Sequence, residues 1–195
     1  MGLRSSFILM VCSVGLVAVG TAGSTSAAEA PAAAPVATQN LIRNGGFEAP
    51  TITRPWVAFF ADGERRIPGW WVVRHSVDLV STDWPAGRGN QSLGVNGFRR
   101  GWVSQFVSTD ANTSYRLSFL LWGDPNGPPA RSRLAVRWDL ERIGVRKVDV
   151  NVQSTWRRVT FLVESTAAGT HLGFRSLTPG NAGPAIDSVR LVAVE

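Results

Sequence analysis

From residue 40 to the end of the chain, apolar and polar positions alternate in short runs, and clusters of Gly, Pro, Asn and Asp separate the runs. Side chains of an extended chain point to opposite faces in turn, so this alternation marks half-buried strands. Strands are expected at about 70 to 80, 91 to 96, 101 to 108, 114 to 122, 132 to 140, 145 to 152, 156 to 164, 170 to 176 and 184 to 194. Turn chemistry lies between them at Pro85-Ala86-Gly87, Asn96-Gly97, Asp124-Pro125-Asn126-Gly127-Pro128-Pro129 and Pro179-Gly180-Asn181. The stretch from Arg54 to Arg66, with Trp56, Phe59 and Phe60, reads as a long loop, and no amphipathic helix is expected. In the fourth run Tyr115, Leu117, Phe119 and Leu121 share the inward face, leaving Arg116, Ser118, Leu120 and Trp122 on the other. Val103, Gln105 and Val107 likewise oppose Trp102, Ser104 and Phe106, and Val159, Phe161 and Val163 alternate with Thr160, Leu162 and Glu164. The expected fold class is all-β, two antiparallel sheets packed as a β-sandwich.

The first 28 residues have a different character. Arg4 followed by the apolar run Phe7 to Gly20 and small residues near Ala27 and Ala28 reads as a signal peptide over 1–28. The run is too short and too rich in Gly and Ser to span a bilayer. Residues 29–39 form a Pro/Ala-rich tether with no apolar face to bury. That leaves 40–195 as one domain, large enough for a full core. No sorting motif follows at the C-terminal end, so the expected destination is secreted and extracellular, with cell-wall association, and no membrane span in the mature chain.

Charge changes this picture modestly. Of 20 basic residues Lys147 is the one lysine, and the formal charge of +6 becomes +5 once Arg4 is removed with the signal. A surface of this sign favours acidic partners such as anionic wall polymers. The arginines are spread over every expected strand, so a solvated basic surface is the plainer reading. Nucleic acid is not expected, because no recognisable reading module occurs in an exported chain. Cys12, in the signal, is the only cysteine, so the core must hold without disulfides.

An ordered set of motifs runs through the domain: Asn40-Leu41-Ile42-Arg43-Asn44-Gly45-Gly46-Phe47-Glu48, Ile67-Pro68-Gly69-Trp70, Val77-Asp78-Leu79-Val80, Gly89-Asn90-Gln91-Ser92-Leu93, Val103-Ser104-Gln105, Tyr115-Arg116-Leu117-Ser118-Phe119 and Gly183-Pro184-Ala185-Ile186-Asp187-Ser188-Val189. The set resembles the bacterial choice-of-anchor C family and the related plant cell-wall proteins of uncharacterised function. The resemblance implies a galactose-binding-like jelly roll and association with carbohydrate or cell wall. It also implies a structural calcium ion that clips the first strand to the last, with the Gly46 carbonyl, Glu48 and Asp187 as ligands. Calcium takes six to eight oxygens. Two carboxylates are few, and the other reading is that Glu48 and Asp187 accept backbone or arginine hydrogen bonds at the sheet end.

Candidate chemistry comes chiefly from eight tryptophans. An indole packs against the C–H face of a sugar ring, with polar side chains around the hydroxyl rim. Trp102, Phe106, Leu120 and Trp122 occupy the faces opposite the core sets, and if their strands are neighbours they form one exposed apolar patch. Alternatively, the Arg54 to Arg66 stretch covers them, or the patch mediates self-association. Trp84, between Asp83 and Pro85, could rim a loop-end site with Asp78, Asp83, Arg88 and Asn90, or plug the end of the sandwich. An enzyme is not expected. The carboxylates are dispersed among turns instead of facing one another in a pair, His75 and His171 are the only neutral-pH bases, and no Gly-x-Ser-x-Gly elbow or metal-ligand spacing occurs. A non-catalytic polysaccharide-binding module is therefore expected, with an adhesive envelope protein that binds a protein partner or itself as the alternative.

Overall fold

The computed structural model describes residues 39–61, 67–124, 131–139, 141–149 and 155–194, with residues 131 and 144–149 in backbone only. The expected signal at 1–28, and the tether at 29–39 apart from Gln39, lie outside these residues. Eleven strands are present among the described residues: β1 (Trp56–Phe60), β2 (Trp71–Arg74), β3 (Ser76–Val80), β4 (Ser92–Gly94), β5 (Trp102–Val107), β6 (Thr113–Gly123), β7 (Arg131–Trp138), β8 (Glu141–Asp149), β9 (Arg157–Ser165), β10 (Thr170–Ser176) and β11 (Pro184–Ala193). They form a six-stranded sheet, ordered β1-β3-β4-β11-β6-β9, and a five-stranded sheet, ordered β2-β5-β10-β7-β8. Every paired neighbour is antiparallel. Apart from β3–β4 and β7–β8, each connection carries the chain from one sheet to the other, so the sandwich is a jelly roll.

The core fills the space between the sheets. Tyr115, Leu117, Phe119 and Leu121 point inward from β6 and are fully buried, as are Val103 and Leu134 from the facing sheet. A file of rings runs through the middle: Phe47 to Trp70 at 5.4 Å, Trp70 to Phe174 at 6.0 Å and Phe174 to Phe119 at 4.9 Å between centroids. Such contacts add to the burial of the rings themselves.

Two expected elements differ. The run from 70 to 80 is not one strand: it breaks at His75, whose φ is 56°, into β2 and β3, which belong to different sheets. Val72 and Val77 both face the core although they are five residues apart, an odd spacing that no continuous strand can satisfy on one face. The stretch read as a long loop contains β1, which pairs with β3 along its whole length, Trp56 opposite Val80 and Phe60 opposite Ser76. Its residues are nearly all apolar, so the alternation of inward Phe59 with outward Trp56 and Phe60 was hidden.

The opening motif has structural work. Asn40 Oδ1 accepts the N–H of Ile42 at 3.1 Å and of Leu191 at 2.9 Å, and Val189 N–H donates to the Gly45 carbonyl at 2.8 Å, which fastens the start of the domain to β11. Gln105 reaches out from β5 to the same segment, accepting from Arg43 N–H at 2.8 Å and donating to the Arg43 carbonyl at 2.9 Å. A buried amide used this way replaces a missing strand neighbour.

Candidate functional site

Because the core claims one face of each sheet, the chemistry available to a ligand lies on the two outer faces. They differ sharply. On the five-stranded sheet the outward positions of β2 and β5 carry Trp71, 64% exposed, Phe106, 52% exposed, and the half-buried Trp102. Trp71 stands opposite Ser104, midway between Trp102 and Phe106, which are four residues or ~13 Å apart along the strand. Gly173 on β10 makes room for Trp102, since a Cβ there would stand 3.0 Å from the indole Nε1. Above the ring lies Arg137, its Cζ 5.3 Å from the centroid, within cation–π range. Arg74 and Arg175 are the cross-strand partners of Trp102 on its two sides. Phe106 meets His171 edge to face at 5.3 Å and lies over Gly169. The result is an open, gently polar surface with aromatic rings spaced along it and guanidinium groups around its centre.

The middle of the outer face of the six-stranded sheet is covered, whereas Trp56 and Phe60 on β1 and Leu162 on β9, its two edge strands, are exposed. Trp122, 8% exposed, packs against Trp84, 7% exposed, at 6.1 Å and against Trp156 at 5.5 Å. Trp84 donates Nε1–H to Ser92 Oγ at 2.9 Å, and Trp156 donates to the Pro85 carbonyl at 2.9 Å. The segment after β3 thus folds back over the sheet, and at Gly87 it comes so close that a Cβ would meet Leu120 at 2.8 Å and Trp156 at 2.9 Å. This corrects the expected patch. Trp102 and Trp122 belong to different sheets and face away from each other on opposite sides of the sandwich, so they form no common surface. Trp122 is sealed, and Leu120 half-covered, by the segment that carries Trp84, while the described part of the Arg54 to Arg66 stretch, up to Ala61, forms β1 at the edge of the sheet.

Beside Trp84 a cavity of about 230 Å³ opens, lined among others by Trp56, Phe98, Asp78, Asp83 and Asp124. Asp78 Oδ1 is buried with no hydrogen-bond partner. Burial first, then the charges of Asp124 and Asp83, push the Asp78 carboxyl up to about 7. Trp84 lines this cavity, 7% exposed and with its N–H donated to Ser92. Of the expected loop-end set, Asp78 and Asp83 meet here. Arg88 and Asn90 do not: their backbone N–H groups donate to Asp187 Oδ2 at 2.7 Å and Glu48 Oε1 at 2.8 Å, at a separate shallow recess that Arg88 lines with Gly46 and Glu48.

Of the expected calcium ligands, Gly46 and Glu48 line that recess, whereas Asp187 is fully buried beside it. Glu48 Oε1 also accepts Gln91 N–H at 3.2 Å, and Asp187 accepts the N–H of Ser188 as well. Asp187 is pushed up to about 6, by burial first and also by the Glu48 charge, against the pull of its backbone hydrogen bonds. The mutual repulsion of the two carboxylates would be relieved by a cation, but the donor set is thin. Both carboxylates already serve backbone N–H groups, and no group of three or more His, Cys, Asp or Glu side chains that could hold a metal occurs among the described residues.

Trp71 and the arginines around Trp102 were not singled out from the sequence. Trp71 sits in a run whose break at His75 hid its phase, whereas the absence of Asp and Glu from β2, β5, β7 and β10 was there to be read. His75 takes a hydrogen bond from Arg74 Nε at 3.2 Å at the corner between the sheets, and His171 is exposed beside Phe106.

Fold and faces together define an all-β jelly-roll sandwich, covered over the middle of one outer face and carrying an aromatic, basic surface on the other. The chain belongs to the family described as "Protein of unknown function (DUF642)", which matches residues 40–192. The family shown is this one, and kinship with the choice-of-anchor C proteins stays an expectation. Comparison with curated proteins finds no match. Among solved structures the chain is similar to a family 35 carbohydrate-binding module from Clostridium thermocellum, with 14% identity, a TM-score of 0.49, and coverage of 71% of this chain and 98% of that one. It is also similar to TmCBM61 in complex with β-1,4-galactotriose, with 18% identity, a TM-score of 0.46, and coverage of 80% and 99%. A third is a family 16 carbohydrate-binding module, with 19% identity, a TM-score of 0.46, and coverage of 78% and 99%.

Proposed function

We propose that this protein is an exported, non-catalytic module that binds a polysaccharide, such as a cell-wall glycan, on the outer face of its five-stranded sheet through Trp71, Trp102 and Phe106. The observation that carries the reading is the exposure of Trp71 and Phe106 on the paired strands β2 and β5, while Trp84 and Trp122 at the middle of the opposite face are buried. Exposed rings cost solvation free energy, and ones held in register along a sheet make a preorganised surface for an extended chain. Export rests on the signal-like residues 1–28, with 29–39 as a flexible tether.

Retention on a panel of insoluble glycans tests the reading. The parent is expected to be held by at least one glycan, and Trp71→Ala to weaken that binding by about tenfold or more, as truncation of an aromatic anchor does. Trp122→Ala is expected to leave the affinity per folded molecule unchanged, because its ring is covered. Failure of every glycan to retain the parent, or equal retention of Trp71→Ala, removes the proposal.

The expected calcium ion belongs with this proposal as a stabiliser at Gly46, Glu48 and Asp187. Thermal unfolding in calcium against chelator is then expected to show a higher Tm with calcium in the parent and no difference in Asp187→Asn, following the linkage of ligand binding to stability. Equal Tm values in the parent discard the ion.

A second reading is self-association, favoured by one observation. At the edge of the six-stranded sheet, β1 exposes Trp56 and Phe60, and Phe98 stacks on Phe60 at 5.7 Å, giving an apolar strip on an edge strand. Light scattering at rising protein concentration separates the readings. A mass that climbs with concentration and returns to the monomer in Phe60→Lys supports this edge as an interface, and a constant monomer mass rejects it.

A further inference from the structure

We infer that the glycan this face selects is a polyanion, carrying carboxylate or phosphate groups along its chain. The inference rests on the proposed carbohydrate-binding reading and names its ligand class. Four of the five strands of the sheet, β2, β5, β7 and β10, contain no Asp or Glu, and three of their arginines, Arg74, Arg137 and Arg175, neighbour Trp102. Arg74 and Arg175 flank it as strand partners, and Arg137 stands over its ring. This arrangement decides against a neutral sugar on Trp102. The Nε1 edge of its indole lies against Gly173 and the Arg137 Cζ stands 5.3 Å from its centroid, so a pyranose stacking there would compete with a guanidinium for the ring.

A guanidinium held over an indole is a rigid fork, matched to the paired oxygens of a carboxylate or phosphate. Trp71 and Phe106, each exposed and set to either side of Ser104, supply stacking surfaces for the uncharged parts of the same chain. Sugar rings thus lie on Trp71 and Phe106 while acidic substituents meet the arginines around Trp102. The domain's excess of positive charge, +5 over residues 29–195, draws such a polymer in before contact.

The experiment compares binding of the full domain to alginate, to a glycerol-phosphate teichoic acid, to neutral hydroxyethylcellulose and to poly-L-glutamate, in chelator at about 50 and about 500 mM NaCl, which spans strong and weak screening. At low salt at least one of alginate and teichoic acid is expected to bind about tenfold or more tightly than hydroxyethylcellulose, and to lose about fivefold or more at high salt. Which of the two binds distinguishes carboxylate from phosphate as the recognised group. Arg175→Gln is expected to lower affinity for the polyanion and reduce its salt dependence, while Trp71→Ala lowers affinity and leaves the salt dependence in place. Circular dichroism confirms that each variant is folded.

Tight, salt-insensitive binding to hydroxyethylcellulose with no preference for either polyanion overturns the inference and leaves the carbohydrate-binding reading standing. No binding to any glycan overturns both. Binding to poly-L-glutamate as strong as to the glycans, and indifferent to Trp71→Ala, also overturns it, since charge alone then accounts for the attraction.

Discussion

Asp78→Asn is expected to stabilise the domain by roughly 4 kcal/mol at pH 8 and by close to nothing near pH 3. The cause is a carboxyl placed where ionisation is costly. Asp78 lies on the outward face of β3 in the cavity beside Trp84, its Oδ1 buried and without a partner, and burial with the charges of Asp124 and Asp83 pushes its pKa from 3.8 to about 7. Below 3.8 the folded and unfolded chains are both protonated there, so the site costs nothing. Between 3.8 and about 7 the folded chain keeps a proton that the unfolded chain has released, and stability falls as pH rises. Above about 7 the full cost is present, and it is this cost that an uncharged amide removes. Urea unfolding of the parent and Asp78→Asn across this range checks the expectation. A stability difference that stays flat with pH would mean that Asp78 is not strained by ionisation. Asp83→Asn should move the parent's transition downward in pH, because one of the two charges that raise Asp78 is gone.

Gln91→Leu is expected to cost roughly 3 kcal/mol or more, although the volumes are similar and no cavity is opened. The Gln91 side chain is 2% exposed and binds three backbone groups of the opening segment: it donates to the Phe47 carbonyl at 2.8 Å and the Pro50 carbonyl at 3.0 Å, and accepts from Ile52 N–H at 2.8 Å. Leucine leaves all three unmatched, the Phe47 carbonyl in a buried place and the other two part-buried, and each orphaned group costs about 1 kcal/mol. Gln105→Leu orphans the two groups of Arg43 and should cost roughly two-thirds as much. Both are read as a fall in the urea midpoint at constant m. A loss below about 1 kcal/mol for Gln91→Leu would show that the opening segment finds other partners when the amide is gone.

These two glutamines explain part of what the motifs signal. Gly89-Asn90-Gln91-Ser92-Leu93 and Val103-Ser104-Gln105 look like binding sequences when read along the chain, since they are polar and lie in or beside strands. In the fold Gln91 and Gln105 hold the irregular start of the domain, Ser92 takes the Trp84 N–H, and the Asn90 backbone is held by Glu48. The motif set therefore describes how the sandwich is closed more than what it binds. The surface residues that the proposed function depends on, Trp71, Trp102 and Phe106, lie outside all the motifs.

The strands and their inward faces follow from the sequence alone. Alternation is a property of the extended backbone itself, so Tyr115, Leu117, Phe119 and Leu121, or Val103 and Val107, could be assigned to the core without knowing what they touch. The same local rule put Trp102, Phe106 and Trp122 on non-core faces, and on that point it was right. What it could not supply was which sheet each strand enters, because strand pairing is chosen by the closure of the whole sandwich and leaves no mark in any one strand's pattern. Tertiary structure alone set β5 and β6 in opposite sheets, folded the Trp84 segment over Trp122, and left Trp102 beneath Arg137 on the open side. An outward ring becomes a binding surface or a second small core according to whether a distant segment of chain comes back to cover it, and that is settled only by long-range packing.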